Sequence, residues 1–342
     1  MPPHADTPNP ELLARARAGE ATAFDGLVKP YRRRLHVHCY RMLGSPHDAD
    51  DALQEALIAA WRGLAGFEGR SALGTWLHQI ATRVCLRLIS QRQPRLTSPD
   101  YAPALTNTAD LGQFVPGPVW LEPLPDEEIF GGEGRGDPTA TLQQRESVAL
   151  AFIAALQHLP GTQRAVLLLR EVLEYSAAEA AEMLDTSVAS VNSALQRAQK
   201  TVQDRIGDRP QAAELQAMGQ PALERLLGAF ISAWERRNVA ELVGLLTEDA
   251  RFTMPPLPAW FDGRRFVEMF IAERMFATPW RLRPVRANGQ VGFACYMQHP
   301  GSDTFRLGGV NLLSLRDGRI ASIHAFLDPA VTGRFGLPEE IC

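Results

Sequence analysis

The stretch from Leu159 to Gln203, LPGTQRAVLLLREVLEYSAAEAAEMLDTSVASVNSALQRAQKTVQ, constrains the chain more than any other segment. Its apolar residues recur at helical spacing, and a short polar break forces two helices to meet at a tight turn. Ala177 to Leu184 makes one short helix and Asp185-Thr186-Ser187 the turn, with Ser187 placed as an N-cap whose hydroxyl accepts a free backbone N–H. The next helix begins at Val188. Val188, Val191, Leu195, Ala198 and Val202 share one face and are expected to pack inward, leaving Ser190, Asn192, Ser193, Gln196, Arg197 and Lys200 outward. Gln and Arg pair bidentately with adenine and guanine edges, while Ser and Lys more often hold phosphates, so this face suits a DNA major groove. A helical hairpin with a solvated polar face is the plainer reading.

A chain of 342 residues exceeds one compact core and implies two or three domains. Hydrophobic content of 45% and charged content of 22% exclude a chain that is disordered or membrane-embedded throughout. Charge is unevenly spread. Lys29 to Arg95 carries eleven Lys or Arg against five Asp or Glu, whereas Asp100 to Asp137 carries eight acids against one Arg. A basic block followed by an acidic one points to a polyanion as partner of the first. Cys39, Cys85, Cys295 and Cys342 form no CxxC pair, and no signal-peptide pattern opens the chain, which fits a reducing cytosol. His36, His38 and Cys39 lack a second ligand pair and do not read as a zinc site. No apolar run approaches the ~20 residues of a membrane-spanning helix.

Ser45-Pro46-His47-Asp48 is a helix start, with Ser as N-cap and Pro at the first helical position. In the helix that follows, Ala49, Ala52, Leu53, Ala56, Leu57, Ala60, Trp61 and Leu64 form the apolar face. Asp48, Asp51, Gln54 and Glu55 are expected to form an exposed acidic strip, either simply solvated or a docking face for a basic partner helix. After a break at Gly66-Phe67-Glu68-Gly69-Arg70, a second helix runs from about Ser71 to Arg92. Arg83 and Arg87 lie one turn apart on it, and Phe67 and Trp76 sit at its entrance, a combination suited to stacking unpaired bases beside a phosphate track. Either aromatic is equally at home in a core.

The order of these parts resembles a sigma-70 family RNA polymerase sigma factor of the small, extracytoplasmic-function (ECF) type. DADDALQEALIAAWRGLAGF is similar to the helix that binds the polymerase clamp, ALGTWLHQIATRVCL to the segment that melts and reads the minus-ten element, and LPGTQRAVLLLREV with VASVNSALQRA to the domain that reads the minus-thirty-five element. The resemblance implies that Asp48, Asp51, Gln54 and Glu55 face core RNA polymerase. It also implies that Phe67, Arg70, Trp76, Gln79, Arg83 and Arg87 lie near the melted strand of promoter DNA. Between Gln93 and Ala140, eight Pro and six Gly mark a linker. By the resemblance, this acidic strand would thread the polymerase channel where RNA normally runs. Within it Val119-Trp120-Leu121-Glu122-Pro123 is an apolar island, and an exposed Trp120 beside Leu121 implies a receptor groove.

After a polar joint near Gly207 to Gly219 the pattern changes. Leu223 to Trp234 marks a helix, Leu242, Leu245 and Leu246 a second, then a short strand at Ala250 to Met254 and a helix from about Arg264 to Phe276. Asn288-Gly289 and Asp317-Gly318 are hairpin turns, with Val291, Phe293, Cys295 and Met297 alternating in the strand between them. Helices followed by a curled antiparallel sheet make an α+β cone with a pocket at its open end. AWERRN, EDARFTMPP and ANGQVGFACYM are similar to the SnoaL-like domain fused to a subset of these sigma factors. Asp249, Asp262, His299, His324 and Asp328 are the acid-base candidates in the cone, each with an ordinary structural explanation.

The expected architecture is therefore multidomain: two all-α sigma domains, a region 2 bundle and a helix-turn-helix region 4, followed by an α+β SnoaL-like cone. Its divisions are a tail and first turn (1–22), region 2 (23–93), an acidic linker (94–141), region 4 (142–208), a joint (209–220) and the cone (221–342). The function this implies is promoter-specific initiation with core RNA polymerase and promoter DNA as partners, no covalent chemistry, no cofactor, no metal and no membrane. The cone would regulate by contacting the sigma domains or the linker, and a small-molecule ligand of the cone stays open. A ligand-responsive helix-turn-helix repressor and a DNA-tethered SnoaL-like cyclase or isomerase are the alternatives.

Overall fold

The computed structural model describes residues 9–131, 142–206, 210–299 and 301–342. Five helices come first: α1 (Pro10–Arg17), α2 (Ala21–Val28), α3 (Arg32–Leu43), α4 (Pro46–Gly63) and α5 (Leu73–Gln91). A long connection follows, with short helices α6 (Ser98–Tyr101), α7 (Asp126–Phe130) and α8 (Leu142–Glu146). Then come α9 (Leu150–Gln157), α10 (Gly161–Leu167), α11 (Ala177–Met183) and α12 (Val188–Ile206). The last third holds α13 (Gln211–Met218), α14 (Gln220–Glu235), α15 (Val239–Gly244), α16 (Arg264–Glu273) and α17 (Pro329–Thr332). Its strands are β1 (Leu246–Thr253), β2 (Trp260–Asp262), β3 (Trp280–Ala287), β4 (Gln290–Gln298), β5 (Phe305–Arg316), β6 (Arg319–Phe326) and β7 (Glu340–Ile341). The chain divides into two compact units, Met1–Arg95 with Ala151–Ile206, and Leu96–Leu150 with Gly207–Cys342.

In the helical unit, α3, α4 and α5 pack on one another, as their apolar faces require. Asn9 caps α1, which packs on α2, so the described part of the expected tail holds one helix and the first two residues of the next. Helix α10 packs on α5 and α3. That approach is close: a Cβ on Gly161 would meet Leu86 Cδ2 and Ile89 Cγ2 at 3.2 Å. Arg164, 3% exposed, crosses the same junction, donating to the Met42 carbonyl and to Gln157 Oε1 at 2.9 Å. Burial pulls its guanidinium down to about 10. The halves of the sigma pair therefore form one unit, although they are far apart in sequence.

The other unit is a single curved sheet, ordered β2-β1-β6-β5-β4-β3, with β7 on β5. All pairings are antiparallel except β1 with β6, which is parallel and corrects the expectation of a wholly antiparallel sheet. Asn288 (φ 55°) and Gly289 (φ 69°) make the tight β3–β4 turn, and Asp317 (φ 50°) and Gly318 (φ 73°) the β5–β6 turn, as the dipeptides predict. Two strands, rather than one, lie between these turns. Val291, Phe293 and Cys295 face the core, whereas Met297, one residue from the end of β4, is exposed. Aromatic rings fill the cone: Phe230 stacks on Phe293 with ring centres 5.1 Å apart, and Phe261 on Phe270 at 4.6 Å. The expected polar joint contains α13, whose Glu214 and Gln211 bond to backbone N–H groups of Gly318 and Leu315.

The connection between the sigma halves belongs to the cone's unit, and its described residues are hydrogen-bonded to the cone. Leu105 N–H donates to the Trp260 carbonyl at 2.8 Å, Trp260 Nε1 to Ala102 O at 2.7 Å and Val115 N–H to Pro256 O at 2.9 Å. Asn288 is the main clamp. Its Oδ1 accepts from Leu124 N–H at 2.9 Å, its Nδ2 donates to Val148 O at 2.6 Å and its own N–H donates to Leu124 O at 3.0 Å. Glu128 pairs with Arg334 at 2.5 Å. Proline and glycine lower local order only when nothing supplies partners for the backbone, and here strand ends of the cone supply them. The expected linker's residues 132–141 lie outside the described residues.

Candidate nucleic-acid interface

The reading helix is α12. Its start is fixed by Ser187, whose Oγ accepts from Ser190 N–H at 3.1 Å, and the preceding α11 has a reciprocal capping box between Ser176 and Glu179. Val191, Ala194 and Ala198 are buried, the first two in a cluster with Tyr175, Ala180 and Met183. Val188, expected inside, is 44% exposed, because the first residue after a cap lies beyond the edge of α11. Ala194 takes its place in the core. Ser190, Asn192, Ser193, Gln196, Arg197 and Lys200 are all exposed on α12. Ser190 Oγ also lies 2.9 Å from Ser187 Oγ, so this hydroxyl belongs to the cap as well as to the outer face.

Helix α4 presents the acidic strip, with one correction. Asp48 is only 6% exposed and pairs with Arg92 and with Arg95, itself 6% exposed, so it ties α4 to the end of α5 rather than facing outward. Its position at the first turn of α4 adds a favourable helix-dipole interaction. Asp51, Gln54 and Glu55 are exposed. Ile58, 44% exposed, continues the same strip, and Asp50 sits beside it, 2.9 Å from His36 Nε2. Neither was expected. An apolar side chain at i+4 from Gln54 on an otherwise polar face was the available signal for Ile58.

At the entrance of α5, Phe67 is 6% exposed and packs on Trp76 with ring centres 5.0 Å apart. Its carbonyl accepts from Arg17, so in this form Phe67 serves as a packing residue. Trp76 and Gln79 are half-buried and Arg70 is exposed beside Glu68. Arg87 pairs with Glu55, and Arg83 Nε donates to Met183 O of α11 at 3.4 Å. Both arginines are thus engaged within the helical unit. Beneath them His78 Nδ1 donates to Gly74 O at 2.8 Å, and burial pulls its imidazole down to about 4. His38, bonded to Thr82 Oγ1 at 2.9 Å, is driven well below the usual imidazole range by burial, and with Cys39 it lies in the core.

In the cone, Trp120 and Leu121 are each 5% exposed, which corrects the expectation of an exposed tryptophan. Trp120 packs on Tyr101 at 4.9 Å and its Nε1 donates to Val115 O at 3.3 Å. The acid-base candidates do not converge. Asp249 pairs with Arg316 and Asp262 with Arg251 at 2.9 Å, while Asp328 caps α17 through Ala330 N–H. His324 Nδ1 lies 3.1 Å from Thr253 Oγ1, and desolvation pulls it down to about 4. His299 sits at a loop next to residue 300, which is outside the described residues. Among the described residues no cluster of three metal-binding side chains occurs, and no helix is long and apolar enough to cross a membrane.

Family models for sigma-70 region 2, sigma-70 region 4 and a SnoaL-like domain match residues 27–95, 149–202 and 227–323. The ECF RNA polymerase sigma factor SigG of Mycobacterium tuberculosis is 40% identical over 329 residues, covering 93% of this chain and 85% of SigG. The ECF sigma factor SigM of the same species is 30% identical over 190 residues, covering 56% of this chain and 80% of SigM. The crystal structure of the M. tuberculosis ECF sigma factor SigJ shares the fold, with a TM-score of 0.56 at 21% identity, over 93% of this chain and 100% of SigJ. With region 2, region 4 and the cone in this order, and a relative of this identity along nearly its whole length, the chain belongs to the ECF sigma factors that carry a C-terminal SnoaL-like domain.

Proposed function

We propose that the protein binds core RNA polymerase, directs it to a promoter and opens the duplex, and that its cone regulates this by holding the linker. Asp51, Gln54, Glu55 and Ile58 of α4 make the polymerase face, a small apolar centre within acidic residues, complementary to a basic helix. Asn192, Ser193, Gln196, Arg197 and Lys200, with Ser190 at their edge, read the minus-thirty-five element. Arg70, Trp76, Gln79, Arg83 and Arg87 handle the minus-ten strand, each stacked base contributing ~1–3 kcal/mol against unpairing. Phe67 joins them only if it leaves its packing against Trp76. Asp48 acts indirectly, by fixing α4 on α5. The protein performs no covalent chemistry and works where the polymerase does, in the cytoplasm.

The observation that carries the regulatory reading is the Asn288 clamp on Leu124 and Val148. A linker held by the cone is unavailable as an extended strand for the polymerase channel, so initiation requires its release. Arg83 and Arg87, both engaged within the helical unit, add a second requirement for rearrangement. Asn288→Gly keeps the left-handed turn and deletes both side-chain bonds. In run-off transcription with core polymerase its output should differ from that of the unaltered chain. Unchanged output would count against regulation through this clamp.

A further inference from the structure

The break between α4 and α5 is anchored at one residue. Phe67 N–H donates to Leu64 O at 3.1 Å, and the Phe67 carbonyl accepts from the guanidinium of Arg17, the last residue of α1. From Glu68 to Ser71 no backbone hydrogen bond occurs among the described residues, and the next is Trp76 N–H to Ala72 O at 3.1 Å, where α5 begins. Gly66 and Gly69 flank the anchor, Gly69 at φ 75°, and a Cβ at either would meet nothing within 4 Å. Without the Phe67 anchor the segment has the freedom of its two glycines. Arg17 stands on a braced helix: Asn9 caps α1, Ala16 is buried, and α1 packs on α2 and on the turn Leu64–Gly66. Arg15, one turn face away, goes instead to Glu20 at 2.8 Å, whereas among the described residues Arg17 bonds to Phe67 O alone.

Given the assignment of Arg70, Trp76 and Gln79 to the minus-ten strand, on which this rests, we propose that Arg17 is a positioning residue for minus-ten reading. It holds the start of the 67–72 loop so that Arg70 and the entrance of α5 keep one register toward the melted strand. The Phe67 ring lies on Trp76 with centres 5.0 Å apart while its carbonyl turns to α1, so ring and carbonyl together fix one orientation of this peptide. A loop anchored in this way loses less conformational entropy when a strand docks, and it presents the same groups to every base that enters. Arg17 acts through the loop and touches no base. An arginine on a phosphate would instead strengthen binding to every sequence alike.

The test compares Arg17→Ala with the unaltered full-length chain in two measurements. Amide exchange of the free chain, resolved at Phe67, should be about fivefold or more faster in the variant, with α12 unchanged. Run-off transcription with core polymerase, from a promoter library randomised at the minus-ten element, should show the preference among minus-ten sequences flattened by about the same factor. Preference at the minus-thirty-five element should be retained. A variant that had merely lost stability would lower all transcripts together. Unchanged exchange at Phe67, or an unchanged or sharpened minus-ten preference, would each overturn the proposal. So would a uniform loss of transcripts with a salt slope lower by about one, the signature of a phosphate contact. A lack of promoter-specific transcripts from the unaltered chain would refute the transcription reading itself, and this proposal with it.

Discussion

Trp120→Ala probes how firmly the linker is held. At 5% exposure the indole is buried against Tyr101, and its N–H donates to Val115 O. Truncating a buried Trp to Ala costs ~3–5 kcal/mol, part transfer and part cavity. The loss should appear as local opening rather than global unfolding, because the α14 and sheet core of the cone does not include this residue. A fall of ~3 kcal/mol in opening free energy corresponds to roughly 10²-fold faster amide exchange. The reporting amides are Val115, bonded to Pro256 O, and Leu121, bonded to Leu96 O. Hydrogen-exchange mass spectrometry on the intact chain should show this acceleration in peptides spanning 113–125, with peptides from α12 unchanged. Unaltered exchange at 113–125 would refute the idea that Trp120 anchors the strand.

Other perturbations have equally definite outcomes. Asp48→Ala should lower stability by ~3–5 kcal/mol in urea titration, because it removes the buried carboxylate that pairs with Arg92 and Arg95. His78, pulled down to about 4 by burial, stays neutral in the fold while the unfolded imidazole takes a proton near 6.5. Its contribution is full above pH 6.5 and falls by about 1.4 kcal/mol per pH unit between 6.5 and about 4, a loss that His78→Gln should reduce in the same titration. On promoter DNA, Arg197→Ala should cost ~1–3 kcal/mol and relax sequence preference, whereas Lys200→Ala should weaken binding uniformly and lower the salt slope by about one. Asp126, pushed up to about 6 by burial, accepts from Gly289 N–H at 2.7 Å. Asp126→Asn keeps that acceptor without charge, so it should stabilise the chain above pH 6 and have little effect near pH 4, measured by urea midpoint.

Much of this arrangement was legible in the sequence because it rests on local physics. The caps at Ser45 and Ser187, the apolar spacing of α4 and the two turn dipeptides are all short-range signals, and the elements form where these signals place them. What was not legible depends on partners distant in the chain. Asp48 reads as surface charge until Arg92 and Arg95 return to it 44 and 47 residues later. Trp120 reads as exposed until the cone's Pro255-Pro256 rim meets its segment. The linker's composition suggested a loose strand, yet Asn288, chosen by the turn for its left-handed conformation, also supplies the amide that holds it. Met297 misled because periodicity does not show where a strand runs past the edge of the core, one residue before the end of β4.

The central claim, that α4 carries the chain onto core polymerase, is tested most directly by run-off transcription from a promoter library with purified core enzyme. The intact chain should yield promoter-specific transcripts, and Asp51→Lys/Glu55→Lys should abolish them while leaving DNA binding by α12 intact. Transcripts undiminished by the charge reversal would contradict the account.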